Sequence, residues 1–235
     1  MALDAFGRCS FAWRRHSLEL LGERAVWDSE RRLLFVADLH LGKAEVFQGS
    51  GVPLPSDGDA ATLNPLLEVV HRWRPLEVVV LGDLIHSRRG LTAELRQKIR
   101  ALPELMACPL RLIGGNHERG SWLEGLPQAP PQAVGPWWLS HAPDPRAGWL
   151  NLCGHRHPVA VVGNAQDRLR LPCFAFDPQR DVLVLPAFGS LTGGHPCSPD
   201  EKVWLVADGQ VVPWTFRDRG GSSRPRPRRA PRRLG

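Results

Sequence analysis

The sequence lacks several features that define other classes of protein. No apolar run approaches the ~20 residues needed to cross a bilayer. The first residues, MALDAFGRCSFAWRRHS, lack the basic-then-apolar order of a signal peptide. The five cysteines are scattered without a C-x-x-C pair, which argues against a disulfide framework and against a thiolate zinc ribbon. We therefore expect a cytoplasmic protein with no membrane association.

Most of the chain also lacks positive net charge. The formal net charge is +6, but seven arginines and no acids lie between Arg219 and Gly235, so the remainder sums to −1. We expect one domain over residues 1–217, because 43% hydrophobic residues suffice for a core. The low-complexity segment 218–235 cannot pack a core, so we expect a disordered Arg/Pro-rich tail. Such a tail either binds nucleic acid or is simply solvated.

The first half alternates strand-like and helix-like patterns. Three short apolar runs, at 33–37, 77–81 and 110–113, predict buried strands. Residues 63–73 and 91–102 predict amphipathic helices between them, with Pro65 tolerated only near a first turn. This order predicts crossover connections in an α/β sheet. The second half contains short strand-like runs broken by Pro, Gly and Asp, and residues 17–37 are typical of hairpin strands that lead into the first core strand.

Five polar clusters rich in histidine follow apolar runs. A single cluster of this kind is ordinarily a capped turn or a hydrogen-bonded strand-end histidine. In an open α/β sheet, however, groups beyond the carboxyl ends of strands converge on one rim. Together they would supply Asp, Asn and His ligands without thiolate, which suit Mn, Fe or Zn and fit two ions sharing a carboxylate. The clusters read ADLH (Asp38, His40), GDLIH (Asp83, His86), GGNHE (Asn116, His117, Glu118), SH (His141) and GHRH (His155, His157).

In this order the clusters resemble the motif series of calcineurin-like metallophosphoesterases: D-x-H, G-D-x-x-[DH], G-N-H-[DE], H, G-H-x-H. The resemblance implies a four-layer α/β/β/α sandwich, with two packed mixed sheets flanked by helices. It also implies two divalent ions, with Mn²⁺ preferred and Fe or Zn as alternatives. Asp83 would bridge the two ions. The implied ligands are Asp38, His40, Asp83 and His157 for one ion and Asp83, Asn116, His141 and His155 for the other.

The same resemblance assigns roles beyond the metals. It implies that His117 is the general acid on the leaving oxygen, oriented by a carboxylate for which Glu118 is the local candidate. We expect His86 to contact substrate. The neighbouring Arg88 and Arg89 either hold a phosphate or form a solvated charge pair. After His141, Ala-Pro replaces the Gly-containing turn common in the family. The resemblance therefore predicts no geometry for the substrate side of this loop.

Further segments are similar to the bacterial ligase-associated DNA damage response endonucleases. The similarity runs from about Leu18 to His195 and rests on LLFVADLHLGKAEVFQGSGVPLP, VVVLGDLIHSRRG, RLRLPCF and LPAFGSLTGG. It implies a Mn-dependent phosphodiesterase that nicks DNA during repair, in association with a DNA ligase, a helicase and an exonuclease.

Two other functions stay open at this point. One is hydrolysis of small phosphoesters or cyclic nucleotides, which would give turnover on a small diester and none on DNA. The other is a non-catalytic, metal-stabilised adaptor for a ligase or helicase. An adaptor has no need of the general acid His117.

Overall fold

The computed structural model describes residues 7–52, 59–118, 125–163 and 166–216. The expected tail at 218–235 lies outside the described residues. Two mixed β-sheets hold most of the described residues that are in regular secondary structure. The first sheet contains β1 (Cys9–Trp13), β2 (His16–Leu20), β3 (Val26–Asp28), β4 (Leu33–Val36), β5 (Glu77–Val80), β6 (Leu110–Ile113) and β7 (Gln128–Ala129), in that spatial order.

Three α-helices and a 3-10 turn are described, all in the first half of the chain. The helices are α1 (Lys43–Gly49), α2 (Ala60–Trp73) and α3 (Ala93–Met106), and the 3-10 turn is Arg88–Gly90. None of the helices in the described parts of the chain is long and apolar enough to cross a membrane.

The second sheet is built from the remaining strands, with β15 and β16 joined to it through β12. These strands are β8 (Gln132–Val134), β9 (Trp137–Leu139), β10 (Leu150–Cys153), β11 (Pro158–Gly163), β12 (Arg168–Asp177), β13 (Val182–Val184), β14 (His195–Pro196), β15 (Lys202–Ala207) and β16 (Gln210–Trp214).

The first sheet combines a hairpin region with crossover units, as expected. Strands β1 to β4 pair antiparallel, whereas β4 to β7 pair parallel. Parallel neighbours require crossovers, and the chain supplies α1 and α2 between β4 and β5 and α3 between β5 and β6. The carboxyl ends of β4, β5 and β6 therefore lie side by side at one edge.

Burial on both faces explains the continuous apolar runs of the central strands. In β4, Leu34 and Val36 pack with the buried faces of α2 and α3. Leu33 and Phe35 point the other way and pack with residues of the second sheet, including Trp137. In a strand that is covered on both faces, apolar and polar residues need not alternate along the sequence. The core between the sheets holds them face to face, so the expected α/β sandwich of two mixed sheets is confirmed.

Helix α2 begins earlier than its apolar pattern indicates. It starts at Ala60, so Pro65 is the sixth residue and lies in the second turn, not the first. The expectation for Pro65 is therefore wrong by a turn, because the first turn of α2 carries little of the apolar periodicity that marks the rest. Proline removes one backbone donor there, and burial of Leu66, Val69 and Val70 holds the helix on the sheet.

Candidate metal centre

The histidine-rich clusters meet where strands of both sheets end. The loops after β4 and β5 are joined by their backbones: the His40 N–H donates to the Asp83 carbonyl at 2.9 Å, and the Asp38 N–H donates to the Gly82 carbonyl at 3.2 Å. The loop after β10 joins them from the second sheet, because the His155 N–H donates to Asp38 Oδ2 at 2.8 Å. Residues far apart in sequence thus share one rim.

Asp38, His40 and His157 form one group of possible metal ligands. The His40 and His157 Nε2 atoms lie 3.2 Å apart, and His157 Nε2 lies 3.4 Å from Asp38 Oδ1. A ligand atom from each of the three lies within 4.8 Å of the others. Such a spread is compact enough for three donors to share one ion.

Asp83, His141 and His155 form a second group. His141 Nε2 lies 3.0 Å from His155 Nδ1 and 3.4 Å from Asp83 Oδ2. The side chain of Asn116 reaches the same place, with Nδ2 3.2 Å from His155 Nδ1. The two groups adjoin at Asp83, since its Oδ2 is also 3.9 Å from His40 Nε2. A carboxylate between two sets of donors is suited to bridging two ions.

The residues present fit a cation. Asp38 is fully buried, and its Oδ1 atom has no hydrogen-bond donor in the described structure. An unpartnered buried carboxylate oxygen is costly, and a positive charge beside it removes that cost. The surrounding donors are imidazole nitrogens and carboxylate oxygens without thiolate, a set suited to Mn, Fe or Zn.

Burial controls the protonation of the histidines. Desolvation, followed by the neighbouring His157 and His117, lowers the pKa of His40 to about 2, so its ring is neutral and keeps a lone pair for coordination. Desolvation and His141 also lower the pKa of His155. For His157 burial acts downward, but the Asp38 carboxylate outweighs it and the pKa lies above the ordinary value. Only neutral imidazole binds a metal, so the first two rings are ready to do so.

The backbone at the site is unusual. Five possible ligands have φ in the left-handed region, at 47° to 69°. Asp and His tolerate this region better than most residues, and such strain concentrates at functional sites. Close packing adds a second constraint, because a Cβ at Gly154 would overlap the Asp38 carboxylate and one at Gly82 would overlap the His141 ring. The five ligands are Asp38, His40, Asp83, His155 and His157.

His117 lies at the same rim but is held differently from the expectation. Its Nδ1 atom is hydrogen-bonded to the His86 carbonyl, and its Nε2 atom is 3.7 Å from Asp83 Oδ2. The fully buried Glu118 carboxylate instead accepts backbone N–H groups of Gly115, Asp83 and Ile85 at 2.9 to 3.2 Å. The His86 carbonyl therefore orients His117, whereas Glu118 holds together the loops that follow β5 and β6.

The other candidate substrate contacts differ in position. The His86 ring is half-buried and lies 5.3 Å from the His117 ring, centroid to centroid, with the planes 26° apart. Arg88 and Arg89 are exposed on the 3-10 turn. His86, in contrast, forms a third group of possible ligands with His40 and His117. Between His155 and His157, Arg156 turns away and forms an ion pair with Glu201.

A segment to which the sequence assigned no role supports the ligands. In GSLTGG, the Gly189 N–H donates to the Asp38 carbonyl at 3.1 Å, and the Gly193 carbonyl accepts a bond from His157 Nδ1 at 3.1 Å. A Cβ at Gly189 would overlap the Leu39 carbonyl. The glycine-rich composition was the available signal, since glycines permit close backbone approach, but nothing in the sequence says what they approach.

The family model for calcineurin-like phosphoesterases matches residues 31–209. The chain belongs to the calcineurin-like phosphoesterase family. Among solved structures, the nuclease MPE of Pseudomonas putida is similar to this phosphoesterase at 29% identity and a TM-score of 0.72. The match covers 88% of this chain and 100% of that chain, and it is consistent with the resemblance to DNA damage response endonucleases. A search of curated proteins finds no match.

Proposed function

We propose that this phosphoesterase is a dinuclear-metal phosphodiesterase that cleaves DNA internally. The family supports phosphoester hydrolysis with divalent metals, and the similar structure of a nuclease supports a DNA substrate. The observation that carries the two-metal assignment is the position of Asp83 Oδ2 between His40 Nε2, at 3.9 Å, and His141 Nε2, at 3.4 Å. One side chain thus adjoins both groups of donors.

In this proposal each ion takes four ligands and Asp83 serves both. The nitrogen and oxygen donors favour Mn²⁺, with Fe or Zn as alternatives. When bound, the two ions supply Lewis acidity to the phosphoryl group and activate a water for in-line displacement. The ligands are Asp38, His40, Asp83 and His157 for one ion and Asp83, Asn116, His141 and His155 for the other.

His117 supplies the proton to the leaving oxygen. Because its Nδ1 faces the His86 carbonyl, an acceptor, Nδ1 carries a hydrogen and Nε2 is the atom that exchanges a proton with substrate. To act as an acid, the ring must carry a proton on Nε2 as well. The backbone N–H of His117 donates to Asp83 Oδ1 at 3.1 Å, so the acid is tied directly to the proposed bridging carboxylate.

The residues around the acid are proposed to bind the substrate. Desolvation, then Lys43 and His117, lowers the pKa of His86 to about 4, so it contacts substrate as a neutral ring. Arg88 and Arg89 are exposed beside it, where guanidinium groups can hold DNA phosphates.

The similarity to ligase-associated endonucleases extends the proposal to bacterial DNA repair. The protein would act in the cytoplasm with a DNA ligase, a helicase and an exonuclease. The odd number of cysteines and the lack of a C-x-x-C pair fit a reducing compartment. Co-purification of those three enzymes with the tagged protein from its host would test the association.

The activity is tested with the metal-reconstituted protein on circular single-stranded DNA, circular duplex DNA and a small diester. We expect nicking or linearisation of DNA, and its loss in Asp83→Ala together with loss of bound metal. His117→Ala should retain metal but lose at least about 100-fold in rate, the usual contribution of a general acid. His71→Ala, at an exposed position on α2, is the matched control. Turnover of the small diester without any DNA cleavage would contradict the DNA assignment.

A further inference from the structure

Phe47 is an exposed aromatic side chain next to the proposed acid. It lies on α1 and is 38% exposed. Its ring is nearly parallel to that of His86, at 19° and 6.5 Å between centroids, and the His86 ring in turn stacks on that of His117. Three rings therefore form a series that leads outward from the metal centre to solvent.

The position of α1 is fixed by the same loops that carry the ligands. Leu41 and His86 are joined by a 2.8 Å hydrogen bond from the His86 N–H to the Leu41 carbonyl. Gly42, which precedes α1, and Gly90, in the 3-10 turn, approach so closely that a Cβ on either would overlap the backbone of the other. Phe47 is thus held at a set distance from His117, as a substrate-binding side chain must be.

The surroundings of Phe47 match the chemistry of a nucleotide. Lys43, one helical turn earlier, places Nζ 5.9 Å from the centre of the Phe47 ring. An aromatic face beside an ammonium group offers a stacking surface for a base and a charge for a phosphate. Packing against His86 accounts for one face of the ring, and 38% of the side chain stays accessible to solvent and hence to a base.

We propose that Phe47 stacks on the nucleobase next to the scissile phosphate, on the side of the leaving oxygen, while Lys43 contacts a DNA phosphate. This inference rests on the proposed DNA phosphodiesterase function and adds a residue that binds the base. It explains how the site can hold DNA without reading sequence, because every base has a face that stacks. A small diester without a base gains less from this contact than DNA does.

The test uses single-stranded oligonucleotides in which one abasic residue is moved stepwise along the chain, with the full-length Mn²⁺-reconstituted protein. The wild type should cleave poorly next to one abasic position. Phe47→Ala should raise KM for the intact oligonucleotide by roughly 5- to 100-fold, the loss of one stacked base. It should also abolish the difference between intact and abasic DNA at that position. The loss on methyl 4-nitrophenyl phosphate should be smaller than on DNA.

Three further variants make the outcome specific. Phe47→Trp should restore the preference for an intact base, whereas Phe47→Leu keeps an apolar contact with His86 and should not. Trp149→Ala is the matched control, because Trp149 is also 38% exposed but precedes the start of β10, at the opposite end of that strand from His155. Circular dichroism of each variant identifies any that fails to fold.

The two proposals fail in different ways. If the wild type cleaves no DNA, the proposed function is wrong. If the wild type cleaves DNA but Phe47→Ala or Phe47→Leu retains the full preference for an intact base, only the role of Phe47 is wrong.

Discussion

Asp59, just before α2, shows how one buried carboxylate joins two helices. It is 8% exposed, and its Oδ1 accepts the backbone N–H of Gly42 at 2.8 Å, next to the start of α1. Burial raises the pKa of Asp59, and the hydrogen bond from Gly42 offsets only part of this. The charged form of Asp59 is therefore disfavoured in the folded protein relative to the unfolded chain.

Replacing Asp59 by Asn should stabilise the protein at neutral pH. Because the folded state holds the proton more tightly, stability falls as pH rises through the unfolded pKa, about 3.9, towards the raised folded value. The penalty is larger at pH 7 than at pH 4, and Asn removes it while still accepting from Gly42. Urea unfolding in chelator at pH 7 and pH 4 should show a gain for Asp59→Asn that shrinks at pH 4. An equal gain at both values would contradict the assignment.

Among the secondary-structure elements, the junctions after the central strands are the most constrained. At these junctions a glycine at which a Cβ would overlap a neighbouring side chain comes directly before a possible metal ligand whose φ is in the left-handed region. Gly154–His155 and Gly82–Asp83 are the two examples. Sequence patterns identified these junctions correctly, because apolar runs mark buried strands and polar residues directly after them mark the carboxyl edge.

Gly154→Ala should disturb the site while leaving most of the fold intact. The added Cβ overlaps the Asp38 carboxylate, so we expect a 10- to 100-fold loss of metal affinity, roughly that of other supporting changes around metal ligands. Titration calorimetry with Mn²⁺ measures it. Gly49→Ala is the control, since a Cβ there meets nothing within 4 Å. Equal Mn²⁺ affinity of the two variants would contradict the prediction. It would show that the protein accommodates the added Cβ at Gly154 without moving Asp38.

Several elements near the site were not predictable from the sequence. Helix α1 has only seven residues and buries only Ala44, so it carries no amphipathic signal. The hydrogen bond from His117 to the His86 carbonyl depends on the path of a loop, which residue types do not specify. The strand order of the second sheet also depends on pairings between strands that are not consecutive in sequence, β10 with β13 and β12 with β15.

For the molecule as a whole, the contrast between a slightly acidic body and an arginine-rich terminal segment is a property of the sequence alone. Removing residues 218–235 should weaken the salt dependence of binding to single-stranded DNA, by about 0.7 in the log–log slope for each arginine that contacts a phosphate. Fluorescence anisotropy at several salt concentrations measures the slope. A variant with Gln in place of the seven arginines controls for length. An unchanged slope would show that this segment does not contact DNA phosphates.

The contribution of both sheets to one centre has a consequence for folding. Asp38 and His155, joined by a hydrogen bond, are 117 residues apart, and the proposed ligand groups combine loops of the first sheet with His141, His155 and His157 of the second. Neither sheet alone holds a complete set, so the chain cannot assemble the site until residues up to 157 have been synthesised and the two sheets have docked. Metal capture is then a late event, and its binding energy stabilises the docked pair of sheets, not either sheet alone.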